Sequence, residues 1–331
     1  MIVNKNKKVV SKEAKLVVVL FFYVVLLFTF GGGVAKLCSV VILGLIIIKN
    51  RYEILPLIGV RRRKISEQQD TEIAEDEKWF DDYFTLKYID EKTIAIGEPR
   101  YWQRNYSYLI LGEERAILFD AGTGYRDIST VVKELTDLPV VVMISHYHFD
   151  HIGNINKFDT IYLSENQVKR QVVLEGNRII PHKSSHLGIL EGLKGKEFRF
   201  EEIFGNKEIV DLGARKLQVL YAPGHDVESI VLYDQDSNML FAGDYLMKGP
   251  ILAHKFLMPT ASLVDYKFSA QNIVGSIEND TRVYLAHPID LSDQTLTGQD
   301  ISDLNNFIST VEKNNFLPKK KTINQNIYIM Y

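Results

Sequence analysis

A chain of 331 residues with 46% apolar and 24% charged residues has the composition of a globular protein, and room for one large domain or two small ones plus appendages. Its single cysteine, Cys38, excludes an intrachain disulfide. The net charge of −3 conceals an asymmetry. The first 64 residues hold 12 Lys/Arg against 2 Asp/Glu, leaving 27 basic and 40 acidic residues for the remainder, an acidic body that argues against nucleic acid as its partner.

Residues 16–30 are almost wholly apolar, Gly31-Gly32-Gly33 interrupts, and 34–48 are apolar again apart from Lys36 and Ser39. These 33 residues exceed the roughly 20 that one bilayer crossing needs. Lys5, Lys7, Lys8, Lys12 and Lys15 precede them, and Lys49, Arg51, Arg61, Arg62, Arg63 and Lys64 follow. A membrane segment is therefore expected over 1–60, as one span or as a short hairpin bent at the glycines. Basic residues on both flanks favour the hairpin, with the rest of the chain on the cytoplasmic side. The alternative is a signal peptide cleaved near Gly33-Val34-Ala35, which would place the body in a secreted or periplasmic compartment. Residues 61–82, with Gln68-Gln69-Asp70 and Glu75-Asp76-Glu77, read as a charged linker.

From residue 83 to 331 short apolar runs alternate with turns. Strands are expected at 93–96, 106–111, 116–119, 140–144, 216–221, 230–233, 239–241 and 282–285, with helices at 127–135, 164–175, 266–277 and 300–313. This pattern predicts an α+β domain of sheets packed between helices.

Residues 145–154 pack three histidines and an aspartate into six positions: His146, His148, Asp150 and His151. They follow the 140–144 strand, and borderline cations such as zinc take imidazole nitrogen with carboxylate oxygen. Four other strands end the same way, usually after a small residue. Asp120 follows 116–119, His225 follows 216–221, Asp244 follows 239–241 and His287 follows 282–285. Strand ends bring distant segments to one edge of a sheet. Each residue alone has a structural explanation, as a turn former, loop residue or core histidine; the five together point to a metal site.

These motifs resemble those of the metallo-β-lactamase superfamily. His146-x-His148-x-Asp150-His151 is similar to its signature, and Leu118-Phe119-Asp120-Ala121-Gly122 to its early aspartate motif. Ala222-Pro223-Gly224-His225, Phe241-Ala242-Gly243-Asp244 and Ala286-His287-Pro288 resemble the later ones, in the family's order, over roughly residues 84–315. Pro288 departs from the family, where many members have glycine. The resemblance implies a four-layer αββα sandwich with two divalent ions, zinc first and iron or manganese as alternatives. His146, His148 and His225 would hold one ion, and Asp150, His151 and His287 the other. Asp244 would bridge both, and Asp120 would orient ligands by hydrogen bonds. The implied chemistry is hydrolysis, with Asp150 also moving the proton of the attacking water.

The resemblance also narrows the branch. The gap of 43 residues from Asp244 to His287 is too short for the inserted domain of nucleic-acid-processing members. His148 stands where diiron flavoproteins place glutamate. Gly243-Asp244-Tyr245-Leu246-Met247-Lys248 lacks the arginine-rich continuation of persulfide dioxygenases and glutathione thioesterases. Met247 replaces the tyrosine of quorum-signal lactonases. The expected activity is cleavage of a small ester, thioester, lactone or amide. The alternatives are a β-lactamase, a phosphodiesterase or nuclease, and a non-hydrolytic redox or binding member. Tyr245 and His254 are candidate substrate contacts. The 101–106 aromatic stretch reads equally as pocket wall or core, and His182 and His186 as an exposed polar face.

Overall fold

The computed structural model describes residues 32–49, 71–170, 172–287, 296–312 and 317–331. The chain divides into two units, Met1–Arg62 with Ile189–Gly192, and Arg63–Gly188 with Leu193–Tyr331. In the first, helix α1 (Gly33–Lys49) is formed by the second apolar arm. Its 17 residues give a length of about 25 Å, short of the roughly 30 Å hydrocarbon core. Among the described residues no helix is long and apolar enough to cross a membrane. The expected first arm, 16–30, and the stretch 50–70 lie outside the described residues.

The main unit opens with an antiparallel meander of β1 (Lys78–Trp79), β2 (Thr85–Asp90), β3 (Thr93–Gly97), β4 (Tyr106–Leu111) and β5 (Ala116–Phe119). Strand β1 lies in the stretch read as linker. It is held there because Glu77 is buried and accepts a hydrogen bond from Thr85 Oγ1 at 2.7 Å. Helix α2 (Ile128–Leu135) begins where the Asp127 carboxylate accepts from Ser129 N at 3.1 Å, an N-cap that satisfies a free helical N–H. Next come β6 (Val140–Met143), the one-turn helix α3 (Phe149–Ile152), β7 (Thr160–Ser164) and α4 (Glu165–Lys169). A small sheet of β8 (Val172–Glu175), β9 (Arg178–Pro181) and, beyond α5 (Lys183–His186), β10 (Phe198–Arg199) stands apart. Strand β11 (Glu202–Phe204) completes an eight-stranded sheet ordered β1-β2-β3-β4-β5-β6-β7-β11, parallel from β5 onward.

The second large sheet runs β12 (Ile209–Asp211), β13 (Lys216–Tyr221), β14 (Ile230–Asp234), β15 (Met239–Phe241), β17 (Arg282–Tyr284) and β18 (Leu296–Thr297). Between β15 and β17 lie β16 (Gly249–Leu252) and helix α6 (Leu263–Val274). Helix α7 (Gly298–Ser309), β19 (Lys320–Thr322) and β20 (Ile327–Met330) end the chain, with β20 pairing in parallel with β16.

Strand periodicity sorts the side chains into layers. Ile117 and Phe119 of β5 meet Val219 of β13 and Phe241 of β15 in an apolar layer between the two sheets. Leu118, from the same strand, faces Ile128, Val131 and Val132 of α2 on the outside. Leu220 and Leu240 face Ile273 of α6 and Ile301 and Leu304 of α7 on the other outside. The result is helix, sheet, sheet, helix, the expected αββα sandwich.

The expected helix at 164–175 is a correction: it stops at Lys169, and 172–175 are strand. Val172 and Val173 are β-branched, and Gly176-Asn177, with Gly176 at φ +64°, closes a hairpin in which Glu175 faces Arg178. His182 and His186 do not share an exposed face either, because His182 precedes α5 and is exposed while His186 is buried.

Candidate metal centre

Strands β5 and β6 are parallel, and β13, β15 and β17 run in one direction through their common neighbours. All five therefore finish at their C-terminal ends with Asp120, His146, His225, Asp244 or His287. Backbone geometry brings the ends close. Gly243 has φ +51°, and a Cβ there would lie 2.4 Å from Ser145 Cβ, so only glycine lets the Asp244 turn approach the His146 loop.

His146, His148, His225 and Asp244 form one group of donor atoms, and Asp150, His151 and His287 a second; all seven are buried. His225 Nε2 lies 3.3 Å from His148 Nδ1 and 3.4 Å from Asp244 Oδ2, with His146 Nε2 4.0 Å from the same oxygen. On the other side of Asp244, Oδ1 lies 3.4 Å from His151 Nε2 and 3.3 Å from His287 Nε2. Asp150 Oδ2 is 3.4 Å from His287 Nε2, and Oδ1 is 3.8 Å from His151 Nε2. The donor set fits divalent metal. The Nε2 atoms of His146, His151 and His287 and Oδ1 of Asp244 are buried with no hydrogen-bond partner, although buried polar atoms are ordinarily paired. Ligands about 2.0–2.2 Å from a tetrahedral ion lie roughly 3.3–3.6 Å from one another, close to most of the spacings seen here.

The remote nitrogens are engaged in a way that aims these lone pairs. Asp120 accepts from His151 Nδ1 at 2.8 Å, from Ser145 N at 2.6 Å and from Ser145 Oγ at 2.9 Å. Ser145 Oγ in turn lies 2.9 Å from His146 Nδ1, and His287 Nδ1 donates to the Arg104 carbonyl at 2.7 Å. Each contact suits a proton on Nδ1, so that Nε2 is the nitrogen turned toward the donor cluster. Asn105 Nδ2 holds the Asp150 backbone carbonyl at 2.7 Å.

Charge divides the histidines. Burial, with His151 and His148 nearby, holds His146 well below the ordinary imidazole range, and burial with His225 beside it brings His148 down to about 4. Burial opposes protonation of His287 as well, yet Asp244 and Asp150 push it up to about 10. His151 is raised by Asp120, Asp244 and Asp150 in spite of burial. Burial would lift the Asp150 carboxyl, but His151 and His287 bring it down to about 2.

Sequence reasoning named the seven donors and Asp120, and the structure brings these eight together. Tyr245, expected as a substrate contact, is not among them. The Tyr245 side chain is buried in the apolar cluster beside α6, with its ring 5.5 Å from that of Tyr266. His254 is also buried, in the loop after β16, where Nδ1 accepts from Phe256 N at 3.1 Å. Tyr101 is core, packed on Tyr125 and Phe149, while Trp102 is exposed. Pro288 lies outside the described residues. Ser145 and Asp226 were missed. Each is adjacent to a donor, but a serine or aspartate there carries no signal until its distant partners are in place. A cavity of about 160 Å³ between the sheets, lined by Ile89, Tyr106, Tyr108 and Tyr284 among others, includes none of the donors.

Comparisons with known proteins follow the same span. A human (Homo sapiens) acyl-coenzyme A thioesterase, MBLAC2, is 22% identical over 219 residues, 60% of this chain and 77% of its own. A hydroxyacylglutathione hydrolase of Dictyostelium discoideum is 26% identical over 195 residues, 55% of this chain and 62% of its own. Among solved structures, a metallo-beta-lactamase from Pontibacter korlensis shares the fold with a TM-score of 0.50 at 16% identity, over 69% of this chain and 100% of that one. The model of the metallo-beta-lactamase superfamily matches residues 100–287, from the loop before β4 to the last histidine of the site, and this chain belongs to that superfamily.

Proposed function

We propose that this chain is a hydrolase that uses two divalent ions, zinc foremost, to cleave a small acyl compound, a thioester before a simple ester, lactone or amide. One observation carries the reading. Two groups of buried donors meet on opposite oxygens of one carboxylate, Asp244, at spacings that match metal coordination better than hydrogen bonding. Ions held there would lower the pKa of a water and polarise the carbonyl of the substrate. Asp150, ionised at neutral pH, accepts the proton of the attacking water and returns it to the leaving thiol or alcohol. The thioester preference rests on the acyl-coenzyme A thioesterase among its relatives.

The test is metal analysis of purified full-length protein, followed by a hydrolysis panel of acyl thioesters, lactones, β-lactams and phosphodiesters. Two ions per chain and thioester cleavage are expected, and Asp244→Ala should abolish both. Full activity of Asp244→Ala with two ions retained would overturn the assignment.

Membrane attachment through 1–60, with the hydrolase on the cytoplasmic side, is proposed from the two apolar arms and their basic flanks. Full-length protein should stay with carbonate-washed membranes; quantitative release would refute it.

A further inference from the structure

Of the five clustered histidines, three have the nitrogen remote from the donor cluster hydrogen-bonded: His146 to Ser145, His151 to Asp120 and His287 to the Arg104 carbonyl. His148 differs. It presents Nδ1 to His225, and its remote Nε2 has no hydrogen bond; the carboxylate oxygen Oδ2 of Asp226 lies 3.5 Å away. We propose that Asp226 is the positioning residue of the first metal subsite, accepting the Nε2–H of His148 so that Nδ1 stays unprotonated and aimed at the ion. The inference rests on the two-metal reading above and adds to it a residue outside the ligand set.

Asp226 is fully buried, and among the described residues no Lys or Arg pairs with it. Three neutral donors orient it instead. Val227 N donates to Oδ1 at 2.6 Å and Thr260 Oγ1 donates to Oδ2, the oxygen nearest His148, at 2.9 Å, while Ser185 Oγ lies 3.1 Å from Oδ2 and shares its one proton between that oxygen and Glu228 Oε1. A turn-forming aspartate would need only the Val227 contact. Two hydroxyls from segments 41 and 34 residues away add nothing to a turn, yet they fix the direction of the carboxylate toward the imidazole. Glu228 braces the same corner, its Oε1 lying 2.9 Å from Ser185 Oγ and 3.3 Å from the backbone N of Tyr147, the residue between His146 and His148. A carboxylate on the remote nitrogen of a ligating histidine fixes the tautomer and raises ligand basicity, and losing one costs about 10–100-fold in metal affinity.

The test uses full-length protein loaded with Co²⁺. Ion release is followed by chelator competition, and exchangeable ring protons by NMR. Wild type should hold two ions and show a ring N–H signal from His148. Asp226→Ala should lose that signal and hold one ion about 10–100-fold more weakly, with the other ion unchanged. Thr260→Val, which keeps the shape and removes one hydroxyl, should weaken the same ion by up to about tenfold, and it decides the matter if Asp226→Ala does not fold. Equal retention of both ions in the variants, or equal weakening of both, would overturn the role of Asp226. A wild type that takes up fewer than two ions overturns the two-metal reading itself.

Discussion

Burial alone would keep every histidine of the cluster neutral, yet carboxylates push His287 up to about 10 and raise His151. Those carboxylates favour the protonated form of both rings, and an imidazole must give up its Nε2 proton to coordinate. Metal uptake at pH 7 should therefore release protons, and affinity should fall as pH drops and climb as pH rises toward about 10. Calorimetry in buffers of different ionisation enthalpy reads this directly; a heat independent of buffer would contradict it. Gly243 supplies a second prediction at this scale. Gly→Ala often stabilises where the backbone allows it, but here φ is +51° and Ser145 blocks the Cβ. Gly243→Ala should cost about 1–3 kcal/mol in a urea titration, with weaker metal binding. Positions such as 146, 148, 244 and 287 were legible because histidine and aspartate after apolar runs are chemically conspicuous. Ser145 was not, because a serine acquires meaning only from what it bonds.

At the scale of elements, the strands that carry donors were the most legible part. Apolar runs such as 116–119 and 216–221 agree with β5 and β13 to the residue. Amphipathic ambiguity defeated the reading at 164–175. Ser164 and Gln167 form a capping box that starts a helix, and nothing local says it ends after five residues. That box also reaches the site: Gln167 Nε2 donates to the Ile144 carbonyl at 2.7 Å, and Tyr147 Oη donates to the Gln167 carbonyl at 2.9 Å. Ser164→Ala should lower stability by about 0.5–2 kcal/mol in a denaturant titration. Because the cap is tied to the His146 loop, metal affinity should fall as well; a loss of stability with metal affinity intact would show that the cap is only local.

For the whole molecule, the sandwich and the site depend on each other. The apolar layers fix where five strands end, but those ends gather buried carboxylates, whose charge cations balance, and imidazoles, whose nitrogens can ligate them. Anything that binds only the folded state stabilises it by mass action. Ions at about a hundred times their Kd should add about 2.7 kcal/mol, so stripping them with a chelator should lower Tm, and restoring Zn²⁺ should recover it. No change in Tm on stripping would argue that the cluster is not a metal centre.

The sequence by itself determined the α+β class, the acidic body and which residues are candidate donors, because strand periodicity and metal-ligand chemistry are local properties of residue type and spacing. Only the tertiary structure decided which candidate donors gather in one group, that Tyr245 belongs to the core, and that Ser145 and Asp226 stand behind the histidines. Those facts depend on contacts between segments as far apart as Tyr108 and Leu285, whose hydroxyl and carbonyl meet at 2.6 Å. No local pattern encodes them; they exist once two sheets pack face to face and bring five strand ends to one edge.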